Sequence, residues 1–475
     1  MGNRRDFLKN MTLAVGTGVI LSGCSESSRS SADLPGLGAG FNMSGYRAPK
    51  IPTVRVGFVG LGMRGPGAVE RMTHIEGVEI KAICDNRKSC TDKVEKMLAE
   101  RNFPKPAVYT DSDDAWKEMC RRDDLDLIYI ATPWELHTPM AVYAMENGKH
   151  AATEVPAATS LKECWQLVKT SERTKKHCVI LENCCYDFFE MLTLNMARQG
   201  LFGDIIHGEG AYIHNLVDLN FNKDGYADMW RLKHNAKRNG NLYPTHGLGP
   251  ICQCMDINRG DRMDYLTCMA SNDFTMNAEA KKRAAEDNFY LPYVDQPYRG
   301  NMNTTLVRTV KGRTIMIQHD VSSPRPYSRI HLLSGTKAFA QKWPKQYIAF
   351  GHEVASDEKM KDLTEKYSPE IVTRIGEMAK KVGGHGGMDF LMDWSLINSL
   401  RNGLPVDMDC YDAALWSCIT PLSIKSVANR SNSVDVPDFT RGNWKTNKPV
   451  ALELAAVTEV RGIQKADASG QLNVE

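Results

Sequence analysis

No charge of one sign dominates this chain. Lys and Arg total 59 against 57 Asp and Glu, a formal net charge of +2 over 475 residues. A surface so near neutrality excludes the bulk attraction for phosphate backbones on which non-specific nucleic-acid binding rests. No uninterrupted apolar run reaches the roughly 20 residues that a membrane-spanning helix needs. Neither C-x-x-C nor H-x-x-H occurs and no carboxylates cluster at ligand spacing, so no metal site is expected. No internal repeat recurs. The remainder is ordinary: 42% hydrophobic and 24% charged residues belong to a globular protein and exclude a disordered or collagen-like chain. At roughly 150 residues per domain, the length admits three domains or two large ones.

Cysteine is plentiful instead, with thirteen residues, an odd number and scattered. Cys184 and Cys185 are adjacent, and one residue separates Cys252 from Cys254, so neither pair bridges easily. Cys84 and Cys178 lie in apolar runs, where a free thiol acts as a small hydrophobe. Buried thiols in a protein that folds under reducing conditions are the expectation.

Arg4 and Arg5 precede a weakly apolar stretch from Met11 to Gly23, the layout of an export signal. Residues 3–9 (NRRDFLK) resemble the twin-arginine export consensus, whose route carries folded proteins. Residues 21–24 (LSGC) resemble a bacterial lipobox ending in Cys24. On this reading 1–24 is a signal segment, Cys24 is lipidated, and the exported protein is anchored to the cell envelope. Residues 25–52, rich in Ser, Gly and Pro, then form a flexible tether.

Thr53 to Val59 is a strand rich in β-branched residues that runs into Gly60-Leu61-Gly62-Met63-Arg64-Gly65, a G-x-G-x-x-G. A helical run and a second strand follow, ending in Asp85, 20 residues past Gly65. That is where a dinucleotide-binding unit places the carboxylate that accepts the ribose hydroxyls. Gly60 permits the tight turn, Gly62 lets the backbone approach pyrophosphate, and the helix N-terminus favours its charge. A carboxylate at 85 repels a 2′-phosphate and so favours NAD, while Arg87 keeps NADP open. Leu125 to Ala131 reads as a strand covered on both faces. The segment Trp134-Glu135-Leu136-His137 leaves its carboxyl end, where open α/β sheets bind ligands.

This alternation continues to Tyr186, defining a Rossmann domain over 53–186. From Gly203 the strands lengthen and the chain closes with helices, one of them with Asp409 in its N-cap region. The fold class is therefore α/β, a doubly wound parallel sheet plus an α+β domain with a mainly antiparallel open sheet over 187–445. Residues 446–475 read as a tail, and 271–303 as a rim of the site.

A Rossmann unit, an E-x-P strand end and an open second sheet together resemble the Gfo/Idh/MocA family of sugar-acting oxidoreductases. Typical members carry E-K-P, with a catalytic Lys; here the residues are Glu154-Val155-Pro156. Many also place an Asp four residues before a catalytic His; here Leu242 precedes His246 at that spacing. The segments GLGMRG, ATPWELHTPMA, TEVPA, LENCCY, MWRLKHNAKRNGNLYPTHGLGP, SSPRPYSR and GGHGGMDFLM look like glycoside hydrolase family 109, over about Val54 to Phe439.

That resemblance implies an NAD-dependent α-N-acetylgalactosaminidase acting on a glycan. Its bound NAD+ oxidises the sugar at C3, elimination across C2 and C1 expels the aglycone, water adds, and the hydride returns. The alternative is a sugar dehydrogenase of the oxidoreductase type, which would accumulate NADH. By the family pattern the cofactor contacts are Met63, Arg64, Asp85, Trp134 to His137 (through Glu135 and Leu136), Glu154, Val155 and Asn183, beside Gly60, Gly62 and Gly65. The sugar contacts would be Tyr212, Arg231, Tyr243, Pro244, Thr245, His246 and Tyr327. His246 is the first choice for proton transfer, since an ordinary imidazole titrates near pH 6.5. Tyr243, Tyr186 and Glu154 are the further catalytic candidates, and a phenol would need a neighbouring cation. A Gly-flanked His385 reads as solvated and is left out. The partners expected are a small-molecule or glycan substrate, no nucleic acid, the membrane only through the lipid anchor, and a possible homo-oligomer.

Overall fold

The computed structural model describes residues 40–461. The proposed signal segment and Cys24 lie outside the described residues. Six parallel strands form the first sheet: β1 Val54–Val59, β2 Val78–Cys84, β3 Ala107–Tyr109, β4 Leu127–Ile130, β5 His150–Thr153 and β6 Cys178–Ile180, in the order β3-β2-β1-β4-β5-β6. That is the Rossmann order, with its switch point between β1 and β4. All four residues of β4 are buried, as expected of a strand covered on both faces.

The second sheet has nine strands. They are β7 Ile205–Ile213, β8 Met263–Ala270, β9 Asn303–Thr309, β10 Thr314–Asp320, β11 Leu332–Gly335, β12 Phe339–Gln341, β13 Tyr347–Phe350, β14 Glu353–Val354 and β15 Val434–Asp435. Their order is β14-β13-β12-β11-β7-β10-β9-β8-β15, and only the β7–β10 pair is parallel. Burial alternates along β9, so one face meets the core and the other meets solvent. Helix Thr245–Cys254 covers the inner face at β7, and helix Cys410–Ala428 covers it at β8.

Helix Cys410–Ala428 begins where the sequence reading put it. Asp409 caps the amides of Tyr411 and Asp412, and Asp412 returns a bond to the Asp409 amide. A box of this kind is worth about 1 kcal/mol.

The linear division of the chain needs correcting at three places. Residues 40–52 are docked, not a flexible tether: Met43 is buried, its amide donates to the Tyr411 hydroxyl, and the Ile51 amide donates to the Leu400 carbonyl. Residues 446–461 are not a loose tail, because the Thr458 carbonyl accepts from the Trp394 indole and Val460 bridges to Ile75. The last two long helices also serve both halves. Helix Met388–Asn402 lies against β1 and helix Gly65–Met72, while helix Cys410–Ala428 packs on helix Leu161–Thr174 and β6 as well as β8. The Rossmann layers are thus completed by residues some 200 positions downstream of 186. All twelve described cysteines are free and buried, as the apolar context of the thiols implied. Among the described residues no helix is long and apolar enough to cross a membrane.

Candidate active site

The glycine-rich turn is built by close backbone contact. Gly60 has φ +90°, and a Cβ there would stand 2.6 Å from the Ala131 carbonyl at the end of β4. Only glycine fits both constraints. The turn therefore lies flat on the switch point, with Gly65 opening helix Gly65–Met72. Asp85 follows β2; its Oδ2 accepts from the Leu61 amide at 2.7 Å and its Oδ1 from the Arg87 amide at 2.9 Å. A buried carboxylate at this strand end, beside a helix N-terminus and an open-backed glycine turn, fits a dinucleotide.

Arg64 leaves that turn toward the second half. Its Nε donates to Glu154 at 3.1 Å and its Nη1 to Asp389 at 3.1 Å. Asp389 also accepts from Asn183 and contacts His385 Nδ1 at 2.9 Å. The Glu154 carboxylate, outweighing burial, holds the guanidinium firmly charged. Burial opposes charge on Asp389, but His385, Arg64 and Arg71 hold it far below the usual carboxylate range.

The substrate side is aromatic. Tyr243 lies 4.8 Å from Tyr212, 4.9 Å from His246 and 5.6 Å from Trp134, ring to ring. Tyr327 closes on His214 at 5.0 Å, and the Tyr212 hydroxyl is 3.0 Å from His214 Nδ1. Within this cage sits Arg231, its guanidinium carbon 4.6 Å from the Tyr243 ring and 5.0 Å from Trp134, with Nη1 donating to the Tyr226 hydroxyl at 2.6 Å. No carboxylate pairs with Arg231 among the described residues. Such a cation stabilises an oxygen that gains negative charge during reaction. Burial pushes the Tyr212 phenol up to about 12 and Tyr243 well above its ordinary value, against the pull of Arg231. These phenols are therefore protonated at neutral pH and available as hydrogen-bond donors.

His246 stands at the junction, on the first turn of helix Thr245–Cys254, with its Nδ1 2.7 Å from Glu182 Oε1. The helix reaches this position because two backbones touch. A Cβ on Gly210 of β7 would lie 2.2 Å from the Gly247 carbonyl, and one on Gly247 would lie 2.2 Å from the Ala211 amide nitrogen. Glu182, Cys184 and His246 bring one ligand atom each within 4.8 Å of one another, a grouping of metal-ligating types that no sequence spacing announces. The Glu182–His246 hydrogen bond already engages two of the three.

Several expectations change. Tyr186 is turned away: its hydroxyl donates to Asp407 at 2.7 Å in a small enclosed space lined by Met392, Ser395 and Met408, so it does not reach the sugar side. Thr245 is buried against Glu182, and Pro244 is buried as the residue preceding the helix. His137 lies between the carbonyls of Thr132 (2.7 Å) and Pro156 (2.8 Å), so its ring braces two loops and only main chain remains for a ligand. Met63, Glu135 and Leu136 are exposed at the cofactor side, and Val155 is buried beneath it.

The sequence reading missed Glu182, Asp389, His385, His214 and Tyr226. Glu182 is the middle residue of the LEN segment just after β6, and that strand-end position was its signal. His385 and Asp389 lie in the GGHGGMDFLM segment, where His385 was set aside as solvated, while His214 and Tyr226 had no signal, since only folding gathers them.

Fold and site together define a dinucleotide-dependent enzyme with a sugar-type aromatic cleft. Residues 54–182 match the oxidoreductase family with an NAD-binding Rossmann fold, and residues 186–446 match the C-terminal domain of glycosyl hydrolase 109. A glycosyl hydrolase family 109 protein of Porphyromonas gingivalis is 50% identical over 413 residues, 83% of this chain and 86% of the relative. An α-N-acetylgalactosaminidase of Bacteroides fragilis is 50% identical over 408 residues, covering 84% and 95%. Among solved structures, levoglucosan dehydrogenase in complex with NADH shares the fold at TM-score 0.61 and 16% identity, over 81% of this chain and all 100% of that one. The chain belongs to glycosyl hydrolase family 109; it is a glycosidase whose cofactor is NAD.

Proposed function

We propose that this glycosidase removes terminal α-linked N-acetylgalactosamine from glycoconjugates, with NAD returned unchanged at the end of each turnover. The observation that carries this is His246, held between the cofactor half through Glu182 and the aromatic sugar cleft through Tyr243 and Tyr212. The α-N-acetylgalactosaminidase of B. fragilis, 50% identical, supports the choice of sugar. Bound NAD+ would supply a hydride acceptor for C3 of the sugar; the C3 ketone acidifies C2, whose proton passes to a base in the cleft as the C1 substituent leaves, after which water adds at C1 and the hydride returns to C3.

The protein's own groups do the rest. His246 takes the proton from the hydroxyl undergoing oxidation, Arg231 and its phenols stabilise the oxygen charge that follows, and Trp134 walls the cleft on the cofactor side. His385 is assigned the leaving group. It is the only non-glycine in a segment, 383–387, that has positive φ at all five positions, a conformation that costs a non-glycine residue about 1–3 kcal/mol. Its ring is 56% exposed and so open to an aglycone, and it is paired to Asp389. It is also near enough to lower His214, after burial, Arg231 and His246.

Ordinary glycosidases use two carboxylates facing across about 5–9.5 Å. Here the carboxylates bordering the cleft are engaged: Glu154 by Arg64, Glu182 by His246, Asp389 by Arg64 and His385, and Glu135 by His234. Imidazoles are left as the proton carriers.

The test is hydrolysis of an aryl α-N-acetylgalactosaminide by the purified protein, with NADH followed optically. Turnover without added cofactor, without NADH accumulation, and with solvent deuterium entering C2 supports the reading. Stoichiometric NADH overturns it in favour of a dehydrogenase. Export and anchoring through Cys24 belong to the same proposal and rest on residues 3–9 and 21–24. Metabolic labelling with a fatty acid should mark the protein and fail to mark Cys24→Ala.

A further inference from the structure

We infer that Glu182 is the positioning residue of the proton-transfer machinery, a buried carboxylate that orients His246 and stabilises its protonated form. The inference rests on the role of His246 proposed above. Glu182 caps the short helical turn Asn183–Tyr186 through the Cys184 amide, a bond that uses only one of its oxygens. Glu182 is wholly buried, and burying a carboxylate costs several kcal/mol unless partners hold it. Its Oε1 accepts from the Cys184 amide at 3.1 Å and lies 2.7 Å from His246 Nδ1, while Oε2 has no hydrogen-bond partner. Among the described residues no Lys or Arg pairs with it. Histidine is the partner that makes this burial tolerable.

The tautomer follows. Burial opposes ionisation of Glu182, yet His246, Thr245 and the Cys184 amide hold it below the usual carboxylate range. An ionised carboxylate can only accept, so Nδ1 carries the hydrogen and Nε2 carries the lone pair. Among the described residues Nε2 makes no hydrogen bond, and the ring stands edge-on to Tyr243 and Tyr212. That is a base aimed into the cleft with its other nitrogen anchored.

The carboxylate comes from the other half of the molecule. Leu242, four residues before His246, is buried and apolar, so the segment that carries the imidazole supplies no acid at that spacing. Glu182 instead follows β6 of the Rossmann sheet, and Gly249 lets the helix settle on it: a Cβ at 249 would stand 3.0 Å from Glu182 Cγ. Docking of the two halves thus assembles the pair.

Glu182→Gln keeps the volume and removes the charge. In the NAD-loaded protein it should lower kcat about a hundredfold or more with KM nearly unchanged. It should also move the acid limb of the kcat/KM profile to lower pH, because an imidazole without its anion gives up its proton more readily. The other groups facing His246 are Tyr212 of β7, His214 just after that strand, neighbouring Tyr243, Arg231 and Cys184, and all are unchanged in this variant. Glu182→Asp, which retains the charge, should place the limb between the two. A purely structural role would lower the melting temperature and leave the limb in place, which overturns the inference.

His246→Ala separates the layers. If it turns over, the role of His246 fails and this inference with it. If it is inactive while Glu182→Gln matches the parent in kcat and pH profile, only the pair fails. Should Glu182→Gln not fold, a low-field proton resonance of the parent protein, lost in His246→Ala, reports the Nδ1–H to carboxylate bond, and its absence from the parent overturns the inference.

Discussion

Gly247, beside His246, lies directly under Gly210 of β7, so close that a Cβ on either would enter the other strand or helix backbone at 2.2 Å. Backbone cannot move aside as a side-chain end can. The pair fixes how deep helix Thr245–Cys254 sits, and with it the 2.7 Å contact of His246 with Glu182 and the 5.3 Å approach of Tyr212.

Gly247→Ala should therefore damage activity more than its size implies. Overpacking of this kind costs about 1–3 kcal/mol. The expected result is a lower melting temperature together with a fall of at least about tenfold in kcat. A variant with parental kcat and melting temperature would show that the helix tolerates a shift.

Asp389 ties the glycine-rich turn to helix Met388–Asn402 by accepting from Arg64 at 3.1 Å and from Asn183. Charge-assisted bonds contribute about 1.5–3 kcal/mol each. Asp389→Asn removes the charge without removing the volume, so purified protein should retain about tenfold less NAD. Cofactor released on denaturation, measured against protein, checks this; equal content would mean that Arg64 holds the turn alone.

Arg231 is a planar cation stacked within 5.3 Å of Trp134, Tyr226 and Tyr243. Lys keeps the charge but loses the plane and the fork. Arg231→Lys should lower kcat/KM by about ten- to a hundredfold, chiefly in kcat if the group stabilises charge that develops during reaction. A change confined to KM would make it a ground-state sugar clamp only.

Two buried imidazoles should make stability fall on acidification. Burial, aided by Lys176, lowers His177 to about 4, and burial with Lys342 and Arg329 lowers His331 to about 3. Both rings are neutral in the folded protein, whereas the unfolded chain binds their protons near pH 6.5. Between those values the unfolded state holds more protons, so the contribution is complete above about pH 6.5 and is lost as pH falls toward 4 and 3. The full shifts correspond to about 3 kcal/mol for His177 and about 5 kcal/mol for His331. Melting temperature measured from pH 8 to pH 4.5 should decline steadily below about pH 6.5, and a flat profile would contradict the assignment.

The dinucleotide half was legible because its determinants are local. Gly60, Gly62, Gly65 and Asp85 sit at spacings set by one strand, one turn and one helix, so a window of about thirty residues contains the argument. Asp409 was legible for the same reason, since a helix cap is decided within four positions. Tyr186 was misread because its neighbours in sequence are site residues, while its hydroxyl is committed to Asp407, 221 positions away.

What the sequence alone determined is therefore the Rossmann unit with its parallel sheet, the preference for NAD, the buried free thiols and the family. What only tertiary structure decided is the chemistry at the junction. Glu182 and His246 are 64 positions apart, and Arg64 and Asp389 are 325 apart. Neither pair shares an element, so no periodicity encodes their meeting. They are brought together because helices Thr245–Cys254 and Met388–Asn402 bury apolar and glycine faces against the other half. Hydrophobic packing sets where those helices lie, and the charged groups they carry take their partners from that placement.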